Sequence, residues 1–462
     1  MSFPSNFVWG VATAAYQIEG AATADGKGQS VWDALCRKEG AIWQGQSGAI
    51  ACDHYHRYAE DVALMQKLGI PAYRLSVAWP RILPEGTGAI NAAGMDFYER
   101  LIDALLAANI TPYVTLFHWD YPYELYARGG WLNKSSPEWF ADYVRLVVER
   151  LSDRVCHWIT LNEPQCFIGG GHYEGHHAPG NRLALPEMLR AAHHCLLAHG
   201  RAVQVIRAYA RTAPQIGYSP VGVTRIPLTP TPDDIAAARK LMFTIPAHDP
   251  VWNNSWWIDP VILGNYPEDG LRLYGDRLPP ISPADLDLIC QPLDFLGVNI
   301  YQGVYVRAGR DNSAEIAPFP TGHPLTASRW WVTPESLYWG PKFFYERYRL
   351  PLIITENGMS NVDWVALDGR VHDPQRIDFI RRYLLELHRA LQDNVAVRGY
   401  FHWSFMDNFE WAQGYRERFG LVYVDYQTLQ RIPKDSAWWY HEVIASNGNC
   451  LFATPDKEGY SQ

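Results

Sequence analysis

The sequence predicts an α/β protein, a single (β/α)8 TIM barrel with extended βα loops over the active-site face. Three observations lead there. Short apolar strand patterns alternate with longer helical ones, no Ser/Gly linker or low-complexity tract divides the 462 residues, and no glycine-rich phosphate turn follows the first strand. The strand patterns are Phe7–Thr13, Ala72–Ser76, Thr111–Phe117, Val155–Leu161, Gln215–Tyr218, Asp294–Asn299, Leu352–Thr355 and Val397–Trp403. They are β-branched or aromatic and mostly apolar on both faces, as parallel strands covered by helices must be. A doubly wound sheet, the rival architecture, would place a G-x-G-x-x-G turn after the first strand, and Trp9-Gly10-Val11-Ala12-Thr13 is not one.

Helical periodicity predicts helices over His54–Leu68, Gly94–Ala108, Pro137–Leu151, Leu185–Arg211, Asp233–Phe243, Pro334–Tyr348 and Pro374–Gln392. In the first, Tyr58, Val62, Met65 and Leu68 recur on one face. Several begin with Asp, Ser or Thr just ahead of Pro, a helix-start signal. The Gly- and Pro-rich stretch Gln302–Thr333 reads as an extended βα loop. Length alone would allow two domains, but one barrel accounts for the whole pattern, so residues 1–462 read as one catalytic domain.

Composition narrows the function. Hydrophobic residues make up 48% and charged residues 19%, enough apolar surface for a large core. The formal net charge is 40 − 49 = −9 without a long basic run, which excludes a nucleic-acid partner. Seven Cys (36, 52, 156, 166, 195, 290, 450) show no repeated CxxC spacing, so neither a disulfide framework nor a zinc knuckle is expected. The first basic residue is Lys27, and no charge-free apolar stretch is long enough to span a bilayer, so the reading is a cytoplasmic chain with no membrane partner. The 19 Trp, 27 Tyr and 17 Phe are an excess. Most such rings fill core, but an indole face also matches the C–H face of a sugar.

In a barrel, catalytic groups sit where strands end. The fourth strand pattern runs into Thr160-Leu161-Asn162-Glu163-Pro164 and the seventh into Ile354-Thr355-Glu356-Asn357-Gly358. Either carboxylate alone could simply start a loop. Although 193 residues separate them (356 − 163), they are three strands apart on a closed ring and can face one mouth. Two carboxylates across a small site are the equipment for glycoside hydrolysis: roughly 5–5.5 Å apart for retention, about 6.5–9.5 Å for inversion. The sequence leaves that distance open.

Eight motifs, in order, carry a resemblance to glycoside hydrolase family 1, the β-glucosidase family, over nearly the full length. They are Ala15-Tyr16-Gln17-Ile18-Glu19-Gly20, Tyr73-Arg74-Leu75-Ser76, Phe117-His118-Trp119-Asp120, Leu161-Asn162-Glu163-Pro164, His177-Ala178-Pro179-Gly180, Gly297-Val298-Asn299-Ile300-Tyr301, Thr355-Glu356-Asn357-Gly358 and the run from Trp403 to Trp411. The resemblance implies a retaining double displacement, with Glu163 as general acid/base and Glu356 as nucleophile. Arg74 and Tyr301 would support the nucleophile. Gln17, His118, Trp119, Asn162, Asn299, Glu410 and Trp411 would bind the nonreducing sugar, with Trp403 stacking beneath it, Phe419 as a further wall and Trp330 at the leaving-group entrance. Trp252, Trp256, Trp257, Trp438 and Trp439 match nothing and are expected in core or helix packing.

The implied substrates are terminal β-D-glucosides, with β-D-galactosides and β-D-fucosides beside them, as small glycosides or oligosaccharides such as cellobiose. No cofactor or metal is implied, transglycosylation is an expected side reaction, and a homo-oligomer is left open. Departures fall on the leaving-group side: Gln165 where the family often has Trp, Ile300 for an aromatic, and Ser336 for a Gly. Three other readings compete. A 6-phospho-β-glycosidase would want Ser in place of Glu410, whose carboxylate repels a phosphate. A non-catalytic sugar binder would have lost a carboxylate, and both are present. A metal-dependent hydrolase would rest on His54, His56, His172, His176 and His177, which show no HExxH spacing.

Overall fold

The computed structural model describes residues 2–310 and 313–453. Eight parallel strands close a barrel in chain order: β1 Val8–Ala12, β2 Ala72–Ser76, β3 Thr111–Thr115, β4 His157–Asn162, β5 Gln215–Ser219, β6 Phe295–Asn299, β7 Leu352–Asn357 and β8 Val397–Trp403, which pairs back onto β1. All eight coincide with the apolar runs of the sequence. They are almost wholly buried, lined by side chains on the inside and covered by helices outside, so neither face tolerates a polar alternation. Toward the carboxyl ends the buried layer turns polar, with Arg74, Thr115, Asn162, Ser219, Asn299 and Glu356 on six different strands.

The seven expected helices form with ends shifted by at most two residues. Thr231, ahead of Pro232, caps Pro232–Met242 by accepting from Asp234 N. Helix Ser136–Leu151 starts one residue before its Pro. An eighth crossover helix, Asp435–Ala445, follows β8. It carries Trp438, whose ring is 39% exposed beneath Lys67, and the partly buried Trp439.

The stretch Gln302–Thr333 is not a plain loop. Its strand Gly303–Ala308 pairs in parallel with Thr224–Pro227 from the β5 loop and antiparallel with Ala314–Ile316, a small sheet set over the barrel mouth; residues 311–312 lie outside the described residues. Ser255–Ile262, Glu268–Tyr274 and Pro283–Ile289 add short helices between β5 and β6. The seven cysteines are all free thiols, and among the described residues no helix is long and apolar enough to cross a membrane.

A buried charge network fixes the segment after β8. Lys434 Nζ donates to Asp363 at 2.6 Å and to Asp407 at 2.7 Å, Arg376 binds Asp363 and Asp373, and Arg418 donates to Asp407 at 2.6 Å. Lys434 and Arg376 are fully buried. The network thus ties the β7 loop, the β8 loop and the starts of helices Pro374–Gln392 and Asp435–Ala445 into one block. Desolvating these ions is costly, and only their mutual pairing offsets it. Lys434→Met should therefore leave two buried aspartates short of a cation and lower stability by about 3–5 kcal/mol. Denaturant unfolding checks this; the exposed pair Arg145–Glu149, broken by Arg145→Ala, should leave the midpoint in place.

Candidate active site

Glu163 and Glu356 face the same cavity of about 860 Å³ at the carboxyl end of the barrel. Glu356 lies inside β7, and Glu163 immediately follows β4 in the left-handed region at φ +48°. That conformation is unfavourable for a side chain. It is held by the Glu163 N–H, which donates to Ser219 O at the end of β5 at 2.8 Å. The two carboxylates have opposite settings. Glu356 Oε1 accepts from Arg74 Nη1 at 2.6 Å and its Oε2 from Tyr301 OH at 2.6 Å. Glu163 has no cation in contact: its Oε1 accepts from Asn299 Nδ2 at 2.8 Å and its Oε2 from the Cys166 thiol at 3.2 Å. Burial, and then the charge of Glu356, push the Glu163 carboxyl up to about 8 against the pull of Asn299 and Cys166.

A chain of hydrogen bonds joins the two acids. Arg74 Nη2 donates to Asn162 Oδ1 at 2.6 Å, and Asn299 Nδ2 donates both to that oxygen at 3.0 Å and to Glu163. Ser219 and Thr355 hydroxyls lie at 3.1 and 2.6 Å from Asn299 Oδ1 and orient its amide. Asn162 Nδ2 donates to His118 Nε2 at 3.1 Å, so His118 carries its proton on Nδ1, which has no protein partner. Burial and Arg74 hold that imidazole well below its usual value, hence neutral.

The other expected residues gather around this centre. Trp403, Trp411, Trp119, Trp330, Phe419 and Glu410 all line the cavity. His118 stacks on Trp403 with centroids 5.7 Å apart, and Trp411 lies 4.4 Å from Trp119. Trp330 leans on Tyr301 and Phe419 at 5.1 and 5.8 Å. The Trp119 indole N–H donates to Asn162 O at 2.9 Å, so this residue meets the cavity with its ring and not with its donor. Gln17 is fully buried, with Nε2 3.3 Å from Glu410 Oε2 and Oε1 without a protein partner. Burial and Glu356 push Glu410 up to about 8 as well.

Some of the wall lay beyond sequence reasoning. Trp252 was expected in the core but lines the cavity, its indole N–H held by Glu174 at 3.0 Å; Trp256 and Trp257 are indeed buried. The β5 loop folds inward and carries Trp252 with it, which no local pattern records. Cys166 belongs to none of the eight motifs, yet its thiol bonds Glu163. It opens the π-helical segment Gln165–Glu174 three residues after the acid, a spacing that could have drawn attention to it. Gln165 bridges Val221 and Asn253, tying the β4 loop to the β5 loop where a Trp had been expected. The histidines weighed as metal ligands are dispersed: His54 pairs with Asp61 at 2.7 Å and His172 with Phe167 O at 2.8 Å. No cluster of three or more His, Cys, Asp or Glu suited to a metal exists among the described residues.

Residues 1–449 match the profile of glycosyl hydrolase family 1. β-Glucosidase A of Thermotoga maritima is 44% identical over 448 residues, covering 96% of this chain and 98% of the relative. A 1,4-β-D-glucan glucohydrolase of Thermotoga neapolitana is also 44% identical, covering 96% and 99%. The solved T. maritima β-glucosidase in complex with glucoimidazole superposes with a TM-score of 0.89 over 97% of this chain and 99% of that one, at 44% identity. The chain belongs to glycosyl hydrolase family 1.

Proposed function

We propose that the chain is a retaining β-glucosidase, one catalytic domain that removes terminal nonreducing β-D-glucosyl residues from small glucosides and short β-glucans. The asymmetry of the two acids carries this reading. Glu356, gripped by a guanidinium and a phenol, has a cation beside it and both oxygens aimed, as a nucleophile must. Glu163, in amide and thiol contact, keeps its proton near neutral pH, as a general acid must.

In the first step Glu356 attacks the anomeric carbon and the glycosidic C–O bond breaks, with the Glu163 proton passing to the departing oxygen. The product is a glycosyl ester on Glu356. Burial still raises the Glu163 carboxyl, but esterification removes the second cause, the charge of Glu356, so Glu163 gives up its proton more readily and can take one from water as that water attacks the same carbon. Free sugar leaves with the β configuration, Glu356 leaves as carboxylate, and Glu163 is protonated again. Arg74 serves both halves by countering the charge that Glu356 sheds and regains.

Glu410 and the unpartnered Oε1 of Gln17 supply acceptors for neighbouring hydroxyls, the Gln17 N–H₂ being taken by Asn408, Phe409 and Glu410, and Trp403 supplies a flat floor beneath the ring. A phosphorylated sugar fits poorly there. Glu410 touches Gln17 and not a cation, and a phosphate beside a carboxyl has nothing to balance it. Glucose is preferred on the strength of the relatives' names, with galactose, its 4-epimer, and fucose, which in addition lacks the 6-hydroxyl, accepted more weakly.

Glu356→Gln should abolish turnover of 4-nitrophenyl β-D-glucoside without changing the circular dichroism spectrum. Glu163→Ala should cost far more on methyl β-D-glucoside than on 2,4-dinitrophenyl β-D-glucoside in the first step, since a good leaving group needs little protonation. Equal losses on both would count against the acid assignment. An α-anomer as first-formed product, seen by NMR, would exclude retention.

The pH profile tests the electrostatics. Glu163 is active in its protonated form, so kcat/KM should fall as pH rises through about 8. The Cys166 thiol hydrogen bond favours the ionised carboxylate. Cys166→Ala should therefore move this basic limb to higher pH, and a shift to lower pH would contradict the contact.

A further inference from the structure

Arg225 is not used by the reaction described above. It stands in the short strand Thr224–Pro227 above β5 and lines the same cavity as the two acids. Its Nε is buried without a hydrogen-bond partner, and among the described residues no carboxylate lies within ion-pair distance of its guanidinium. Asp249 acts on it only at longer range, and burial pushes the guanidinium down from its usual value. Arg329, exposed and in the left-handed region at φ +61°, lines the cavity too and has no carboxylate partner among the described residues. The remaining arginine of this wall is engaged: Arg416 binds Glu417 at 2.9 Å.

Two uncompensated guanidinium groups on one wall are conspicuous in a chain of formal net charge −9. Their position relative to the acids matters. Glu163 delivers its proton to the leaving oxygen, so it marks the leaving-group side. Its backbone N–H is bonded to Ser219 O, at the root of the loop that carries Arg225. That side also bears Trp252 and Trp330. A leaving group there meets aromatic faces and unpaired donors together.

Resting on the β-glucosidase reading, we infer that Arg225, assisted by Arg329, selects leaving groups that carry a carboxylate, and that β-D-glucosides of aromatic hydroxy acids are the substrate class that fits. A guanidinium presents a planar pair of donors to a carboxylate and binds it more strongly than it binds a neutral acceptor. A ring between Trp252 and Trp330 supplies the stacking. The carboxylate must stay on the outer wall, since Glu356 repels it at depth and the buried Glu163 and Glu410 offer it no cation, and Glu174 limits its approach beside Trp252. Because it is charged in both ground and transition state, its contact with Arg225 acts mainly on KM.

The test compares 4-carboxyphenyl β-D-glucoside with its methyl ester, with 4-nitrophenyl β-D-glucoside as the reference. Their intrinsic reactivities differ, but that difference cancels in the ratio between wild type and variant. In Arg225→Gln the carboxylate-to-ester ratio of kcat/KM should fall about tenfold, the effect of losing a charge-assisted hydrogen bond, and the change should sit in KM. Arg329→Gln should move the ratio the same way by less. In the wild type, added salt should slow the carboxylate more than the ester. An unchanged ratio in Arg225→Gln overturns the inference. If that variant does not fold, equal salt dependence for the two substrates overturns it instead, and a steeper dependence for the carboxylate upholds it. No turnover of any of the three glucosides by wild type would sink the glucosidase reading itself, and this inference with it.

Discussion

Arg74 reaches from β2 across the barrel's upper end to Thr115 on β3, Asn162 on β4, and Thr355 and Glu356 on β7. It is 1% exposed. A guanidinium so deep in a protein is tolerable only when its donors are matched, and the four bonds just named all run to acceptors. Because Arg can only donate, the atom of Asn162 that faces it must be the carbonyl oxygen. That forces the Asn162 amide toward His118 and sets the imidazole tautomer. It also means that the Asn299 group facing the same oxygen must be its N–H₂, which then points at Glu163. One side chain that cannot accept a hydrogen bond thus fixes the polarity of the network out to the acid on the other side of the cavity.

The same layer explains why the acids differ although both are buried. Glu356 lies in direct contact with the charge of Arg74, whereas Glu163 feels it only at a distance, through two amides. Like charges, burial and neutral donors then separate the roles without any difference in residue type. The backbone contributes as well. Glu163, Trp119 and Trp411 all sit at positive φ, so three groups of the cavity wall are aimed by conformations that open chain avoids and the surrounding packing enforces.

Much of this was legible in the sequence, for physical reasons. Strands buried on both faces must be short and apolar, so β1 to β8 stood out, and strand ends in a closed barrel must converge, so Glu163 and Glu356 could be paired across 193 residues. The helices were legible from their amphipathic period. What escaped depends on contacts distant in sequence. The sheet joining Thr224–Pro227 to Gly303–Ala308 leaves no periodic trace in either segment, and a Gly- and Pro-rich run reads as loop. Trp252 looks like any packing ring until the β5 loop is seen to turn inward. Cys166 reads as a small hydrophobe because its polar role lies in one weak donor. Trp119 could be assigned to the site, but the backbone carbonyl that claims its N–H could not.

The junction of β7 and β8 has a bearing on how such a protein can change over time. A Cβ added to Gly358 would sit 1.8 Å from Trp403 O, so main chain rests directly on main chain between the strand of Glu356 and the floor of the cavity. Two walls in such contact cannot drift separately. New preferences must arise through side chains on the rim and on the β5 and β6 loops. The innermost part of the cavity is the inherited part, and diversification is left to its outer edge.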